Sequence, residues 1–255
     1  MICLFQIEMR NTMEPLYVQN YEVTDIAVNC FGRMKTSMIL FLAQEIAGRH
    51  CNLLSVDYDT LAARHMFWAV TRHRVQITRL PVRGETIRIE TWPMPTTRVA
   101  YPRSVVAYDA DGNECFRSIS LWVLMDLEKR SMILPGKSGI DVAGTLRGTE
   151  LDSPSGLVAK AMQNHRSRQV CFTDLDRNCH MNNTKYMDWI DDLLPSAFHE
   201  QHSPKEFTIC YLSESREGQI LDMSWDFLEE GVLQVDAYRK ADEKSERVFS
   251  ARFLF

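Results

Sequence analysis

Thr173-Asp174-Leu175-Asp176-Arg177-Asn178-Cys179-His180 resembles an earlier stretch of the same chain, Thr24-Asp25-Ile26-Ala27-Val28-Asn29-Cys30-Phe31. The two octapeptides align without a gap at an offset of 149, with Thr24 against Thr173. Thr, Asp, Asn and Cys recur in place, and Ile26 meets Leu175. The residues downstream of each copy are also alike. Ile39, Leu42, Ala43, Ile46 and Ala47 fall at helical spacing after the first, and Tyr186, Trp189, Ile190, Leu193 and Leu194 after the second. Each pattern predicts an amphipathic helix with one apolar stripe. Gly48 is expected to loosen the first helix and Pro195 to end the second. Asn182 or Asn183 is the expected cap of the second.

Strand patterns come after both helices. In the first copy Val75 and Ile77, then Ile87 and Ile89, alternate with polar residues. A hairpin is predicted from Val105–Tyr108 through Asp109-Ala110-Asp111-Gly112-Asn113 to a strand containing Ile119, Leu121, Val123 and Met125. In the second, Leu221, Met223, Trp225 and Phe227 alternate with polar residues, Glu230-Gly231 turns the chain, and Leu233, Val235 and Ala237 come next. A charged turn, Asp242 to Glu246, leads to Phe249, Ala251, Phe253 and Phe255. Strict alternation means one buried and one wet face. The fold class is therefore α+β: two units, each a long helix laid across the concave side of a curled antiparallel sheet. Turn-rich sequence places residues 1–135 in the first unit, 136–167 in a linker and 168–255 in the second.

In this alignment the first copy keeps an Asn but has Ala27 where the second has Asp176, and Phe31 where the second has His180. The second unit is thus expected to carry the chemistry, and the first to supply packing and a share of a binding cavity. Asp176, Asn178 and His180 are spaced by two. In extended backbone such residues point to one side, with Arg177 and Cys179 on the other. The spacing predicts a carboxylate, an amide and an imidazole facing one space at the start of a helix. Backbone N–H groups at residues 181–183 would be available there to stabilise negative charge.

Composition narrows the class. The chain has 255 residues, enough for one large or two small domains, 45% hydrophobic content and a formal charge of −5. No basic tail favours nucleic acid. Seven scattered cysteines without a Cys-x-x-Cys pair fit a reducing, cytoplasmic compartment and argue against structural zinc. Neither a metal-ligand cluster nor a cofactor-binding glycine motif is evident, so no cofactor is expected. No apolar run is long enough to span a membrane. The first eleven residues, interrupted by Glu8 and Arg10, do not read as a secretory signal, and no transit segment is recognised.

The stretch Leu175, Asp176, Asn178, His180, Asn182, Asn183, Tyr186 and Trp189 resembles the signature of the acyl-acyl carrier protein thioesterases of plants and bacteria, with Met181 where the family has valine. A second block, Tyr211-Leu212-Ser213-Glu214-Ser215, resembles the family's Tyr-x-x-Glu-Cys. Weaker likeness runs through Phe67-Trp68, Ile89-Glu90-Thr91-Trp92 and Ser120-Leu121-Trp122-Val123, so that it spans most of residues 20–255. The resemblance implies two tandem hot-dog domains and hydrolysis of fatty acyl thioesters on acyl carrier protein in fatty acid biosynthesis. It implies catalytic roles for Asp176, Asn178, His180 and Glu214. Ser215 stands where the family often has cysteine, which disfavours a cysteine nucleophile and leaves water activation by carboxylate and imidazole unaffected. Alternatives are a coenzyme A thioesterase on the same scaffold and a non-hydrolytic acyl binder. The expected partner is acyl carrier protein, with a homodimer left open. Arg72-His73-Arg74, with Arg79 and Arg83, is either a carrier-docking patch or a wet strand face. Trp68, Met38 and Leu42 are candidates for an acyl pocket.

Overall fold

The computed structural model describes residues 15–148, 150–241 and 244–255. The opening segment, residues 1–11, and Asp242 and Glu243 of the charged turn lie outside the described residues. The first half runs β1 (Tyr17–Glu22), α1 (Thr36–Leu53), α2 (Tyr58–Ala62), β2 (Met66–Ile77), β3 (Thr86–Pro93), β4 (Tyr101–Tyr108), β5 (Glu114–Asp126), β6 (Met132–Ile133) and α3 (Pro135–Ser138). The second runs β7 (Asn164–Gln169), α4 (Lys185–Asp191), α5 (Ser196–Gln201), β8 (Glu206–Tyr211), β9 (Ile220–Glu229), β10 (Val232–Ala241) and β11 (Lys244–Leu254). β7 begins inside the stretch read as linker, and neither β1 nor β7 was expected. β7 is Asn-His-Arg-Ser-Arg-Gln, an edge strand without an apolar face to betray it.

All strands join one antiparallel sheet in the order β1-β3-β4-β5-β2-β8-β11-β10-β9-β7, with β6 beside β5. The order on one side of the β2–β8 seam mirrors that on the other. The two expected turns are in place: Asp109 Oδ1 accepts the N–H groups of Asp111 and Asn113, and Gly231 adopts a φ of 72° between β9 and β10. Alternation sends Val235 and Ala237 of β10 into a core shared with Ile39, Ile46, Trp189 and Ile190 of the helices. The helices meet where Thr36 Oγ1 donates to Asp191 Oδ2 at 2.8 Å. This is the α+β, tandem hot-dog architecture that the sequence predicts.

The two helices differ in length. Gly48 does not loosen α1, which continues to Leu53. α4 stops at Asp191, before its apolar pattern ends. Leu193 N and Leu194 N bond back three residues, to Ile190 O and Asp191 O, tightening the chain ahead of Pro195, which then starts α5. Trp189 of α4 is wholly buried; trimming such a side chain to alanine costs about 3–5 kcal/mol.

The repeat is real, but its register is two residues from the gapless alignment. β1 and β7 both span six residues, and the structural offset from Tyr17 to Asn164 is 147. A 3-10 turn comes next, at Asp25–Ala27 and at Phe172–Asp174, and an isolated bridge pairs Val28 with Met34 and Leu175 with Met181. Asn29 therefore occupies the place of Asp176, Phe31 that of Asn178 and Arg33 that of His180. The shared Thr-Asp and Asn-Cys letters had pulled the alignment out of step.

Residues 154–160 cross the sheet on the face opposite the helices. Pro154 O accepts from Arg72, Leu157 O from Arg247 and Val158 O from Gln234, while Lys160 N donates to Asp236. The basic patch lies partly beneath this strap. Arg74 pairs with Glu206, Arg79 with Glu85 and Asp109, and Arg83 with Asp25. His73 is buried at the β2–β8 seam between the rings of Trp122 and Tyr211, and burial pushes its pKa down to about 3. It is a core residue, and the run Arg72-His73-Arg74 is not a free docking surface.

Candidate active site

Asp176, Asn178 and His180 are brought together by a tight turn, where an extended segment was expected. Asp176 N donates to His180 O at 2.8 Å, and Cys179 N donates to Asp176 O at 3.0 Å. The Asp176 carboxylate closes the turn from inside: its Oδ1 accepts from Asn178 N at 2.8 Å and His180 N at 3.4 Å. An aspartate bonding to backbone N–H groups ahead of it is a local turn-builder. The turn requires a left-handed residue, and Cys179 takes a φ of 59°. Chain reversal thus does what strand alternation was expected to do.

The N–H groups expected to stabilise charge are partly committed. Met181 N donates to Ser215 O and Asn182 N to Asp174 O. Asn182 Oδ1 accepts the N–H and hydroxyl of Thr184, fastening the loop to α4. The structure puts Thr184 at the helix cap, without a side-chain capping bond.

Glu214 arrives on the loop after β8. Leu212 N and Ser213 N both bond to Val248 O, and Arg239 Nη1 holds Glu214 O at 2.6 Å. The carboxylate faces the imidazole, with Glu214 Oε2 3.3 Å from His180 Nε2. All four sequence-predicted site residues therefore form one cluster. Ser215 is 0% exposed, its carbonyl engaged by Met181, and is not placed as a nucleophile. The His180 side chain is mostly screened from solvent, and burial pushes its pKa below the usual imidazole value. Arg130 and Arg216 act in the same direction, while Glu214 and Asp176 oppose them. The balance favours the neutral ring.

Sequence reasoning missed Arg130. It contacts the Glu214 carboxylate, and its guanidinium carbon lies 4.5 Å from the centre of the Phe67 ring. Its sequence setting, Glu128-Lys129-Arg130, reads as a charged turn; a signal could have come only from the position just after the longest strand.

A cavity of about 410 Å³ runs from Asp176 and Asn178 into the first half. Its walls include Phe67, Trp68, Tyr101, Trp122 and, on α1, Ala47 and Cys51. Of the three pocket candidates Trp68 lines it, while Met38 and Leu42 pack into the core. Outside the loop a shallower hollow is lined by Arg130, Asn178, His180 and Arg216. Asn178 lines both and thus stands at the junction of a cavity of mixed aromatic and polar lining and a polar vestibule. Among the described residues no group of three or more His, Cys, Asp or Glu side chains could hold a metal ion, and no helix is long and apolar enough to cross a membrane.

Two family models match the chain: the acyl-ACP thioesterase N-terminal domain over residues 14–134 and the acyl-ACP thioesterase C-terminal domain over residues 158–252. A palmitoyl-acyl carrier protein thioesterase of Gossypium hirsutum is 24% identical over 81% of this chain and 54% of its own. The oleoyl-acyl carrier protein thioesterase 2 of Arabidopsis thaliana is 24% identical over 82% and 61%. Both are described as chloroplastic, and the chain spans about half to three-fifths of their length. Among solved structures, an acyl-ACP thioesterase from Bacteroides thetaiotaomicron superposes with a TM-score of 0.86 at 22% identity, covering 94% of this chain and 98% of that one. The 12:0-ACP thioesterase of Umbellularia californica gives 0.79 at 21% identity, covering 94% and 97%. These superpositions establish the shared fold.

Proposed function

Because the chain belongs to the acyl-ACP thioesterase family, we propose that it hydrolyses the thioester of fatty acyl-acyl carrier protein, releasing a free fatty acid and the phosphopantetheine thiol. One observation carries this reading: an imidazole paired with a carboxylate, His180 with Glu214, stands beside Asn178, which lines a cavity walled in the first half by Phe67, Trp68, Tyr101 and Trp122. The acyl chain occupies that cavity in the first half, and the carrier arm crosses the vestibule by Arg130 and Arg216.

The chemistry stems from the placement. His180 takes a proton from water as the oxygen attacks the thioester carbon. Glu214 stabilises the imidazolium that forms. The carbon–sulfur bond then breaks, and His180 returns the proton to the leaving thiolate. One group of this kind contributes about 10²–10⁴-fold. The Asn178 amide, at the junction of the two hollows, orients the carbonyl. Asp176, occupied with the N–H groups of its own turn, acts as scaffold, and the second half, from β7 onward, carries the four residues.

The test is thiol release from a panel of acyl chains, each attached to acyl carrier protein and to coenzyme A. Faster turnover of the carrier-linked form is expected at each length. Faster turnover of the coenzyme A form would make the protein a coenzyme A thioesterase. Tight binding without release at any length would make it an acyl binder. A cytoplasmic location belongs to the same proposal, supported by the six free cysteines among the described residues. A homodimer would be read from mass in solution.

A further inference from the structure

Arg130 comes from the half of the molecule that carries none of the four predicted residues, and it enters the site from the end of β5. The turn that delivers it is built by Asp126. The Asp126 carboxylate accepts the N–H groups of Glu128 at 3.0 Å and Lys129 at 2.7 Å, and its carbonyl accepts Arg130 N at 3.0 Å. Arg130 is left in the left-handed region with a φ of 53°, a conformation that a residue with a side chain adopts when its surroundings hold it there. Its guanidinium rests over the Phe67 ring.

From that shelf the guanidinium contacts the Glu214 carboxylate, and Nη2 lies 3.4 Å from His180 Nδ1 and 3.5 Å from His180 Nε2. A point nearly equidistant from both ring nitrogens is in line with neither lone pair. Arg130 is therefore bonded to the carboxylate and stands beside both nitrogens of the imidazole. We infer that Arg130 is a positioning residue: it clamps Glu214 against His180 across the join between the two halves, so the working pair is assembled from both.

This inference rests on the reading of His180 and Glu214 as that pair. It also has a charge consequence. The charged groups facing His180 are Glu214 and Asp176, which favour the imidazolium, and Arg130 and Arg216, which oppose it. Loss of Arg130 therefore acts on the ring twice, by removing an opposing cation and by releasing the Glu214 carboxylate that favours the imidazolium.

The experiment uses the full chain carrying Arg130→Met or Arg130→Lys, with the His180 ring titrated by NMR beside steady-state kinetics. Arg130→Met is expected to lower kcat by about 10- to 100-fold with KM little changed, since misplacement of a catalytic group acts on the chemical step. It should displace the His180 titration from its wild-type position, since both the Arg130 charge and the placement of the Glu214 carboxylate act on the ring. Arg130→Lys keeps the charge but loses the planar fork, so its titration stays near wild type while kcat recovers in part. A folded Arg130→Met protein with unmoved titration and wild-type kcat overturns the clamp. So does a raised KM at constant kcat, which would make Arg130 a substrate-binding group. If the methionine variant does not fold, the lysine variant decides: reduced kcat at unmoved titration supports the clamp, and full kcat overturns it. If the wild-type protein hydrolysed no thioester, the hydrolytic reading would fail, while a displaced His180 titration would still report the clamp.

Discussion

The loops at residues 28–34 and 175–181 have the same backbone and opposite fates. In each, the second residue accepts two N–H groups through its side chain: Asn29 from Phe31 and Arg33, Asp176 from Asn178 and His180. In each the fifth residue is left-handed, Gly32 at 71° and Cys179 at 59°. In each the last residue donates to the neighbouring loop, Met34 to Pro81 O and Met181 to Ser215 O. By that bond Leu80 stands where Glu214 stands. The first loop thus presents Asn29, Phe31, Arg33 and Leu80 in place of Asp176, Asn178, His180 and Glu214. The helix opposite each loop differs too. α1 is 18 residues long and walls the cavity of about 410 Å³. α4 has 7 residues, and α5 folds back to leave about 40 Å³ beside Arg33. One scaffold, used twice, is a site where the imidazole, the carboxylate and the space coincide.

The sharpest way to break this contrast is at the imidazole. His180→Ala should reduce kcat/KM by about 10²–10⁴-fold with an unchanged far-UV circular dichroism spectrum. A folded variant with wild-type turnover would leave the second loop as idle as the first.

A smaller effect separates scaffold from chemistry. Asp176→Asn gives the second loop the builder that the first already uses, so the turn should persist. The expected loss in kcat is about tenfold, the scale of one weakened hydrogen bond. A loss equal to that of His180→Ala would make Asp176 a reacting group.

Smaller again is the pH signature. Burial lowers the His180 pKa, and in the proposed mechanism the neutral ring is the active form. Activity should therefore persist as pH falls to 6.5 and decline only as it passes through the lowered folded-state value. The acid limb of kcat against pH measures this. A limb above 6.5 would mean that Glu214 outweighs burial.

This contrast also explains what the sequence could and could not reveal. The helices, hairpins and turns were legible because alternation, Asp-Gly and proline act over a few residues. The clustering of the four candidate residues was legible because the motif is compact and the Tyr211 block marks Glu214, although a turn and not strand alternation gathers them. The register of the repeat was not, because Asn29 and Asp176 do one job with different letters, while Asn29 and Asn178 share a letter and do different jobs. The strand β7 was not, because it is an exposed edge strand whose six residues are all polar. Arg130 was not, because it meets Glu214 across 84 positions of chain, and no local pattern encodes a contact at that distance.

The weakest effect on activity tests the silent loop. Arg33 donates to His199 O at 2.8 Å, Glu200 O at 2.9 Å and Ser203 Oγ at 2.8 Å, tying the first loop to α5 and the turn beyond it. It fills the place of His180 with a guanidinium whose hydrogen bonds serve packing. Arg33→Ala removes those bonds and should cost about 1–2 kcal/mol of stability, read as a fall of a few degrees in Tm. Turnover on acyl-carrier substrates should stay within about twofold of wild type, since Arg33 lines the small pocket by Asp191 and not the large cavity. A Tm loss with intact kcat would place the first loop in the framework. A loss of kcat at intact Tm would mean that the two loops work together, and that the asymmetry between an armed copy and a plugged one has been drawn in the wrong place.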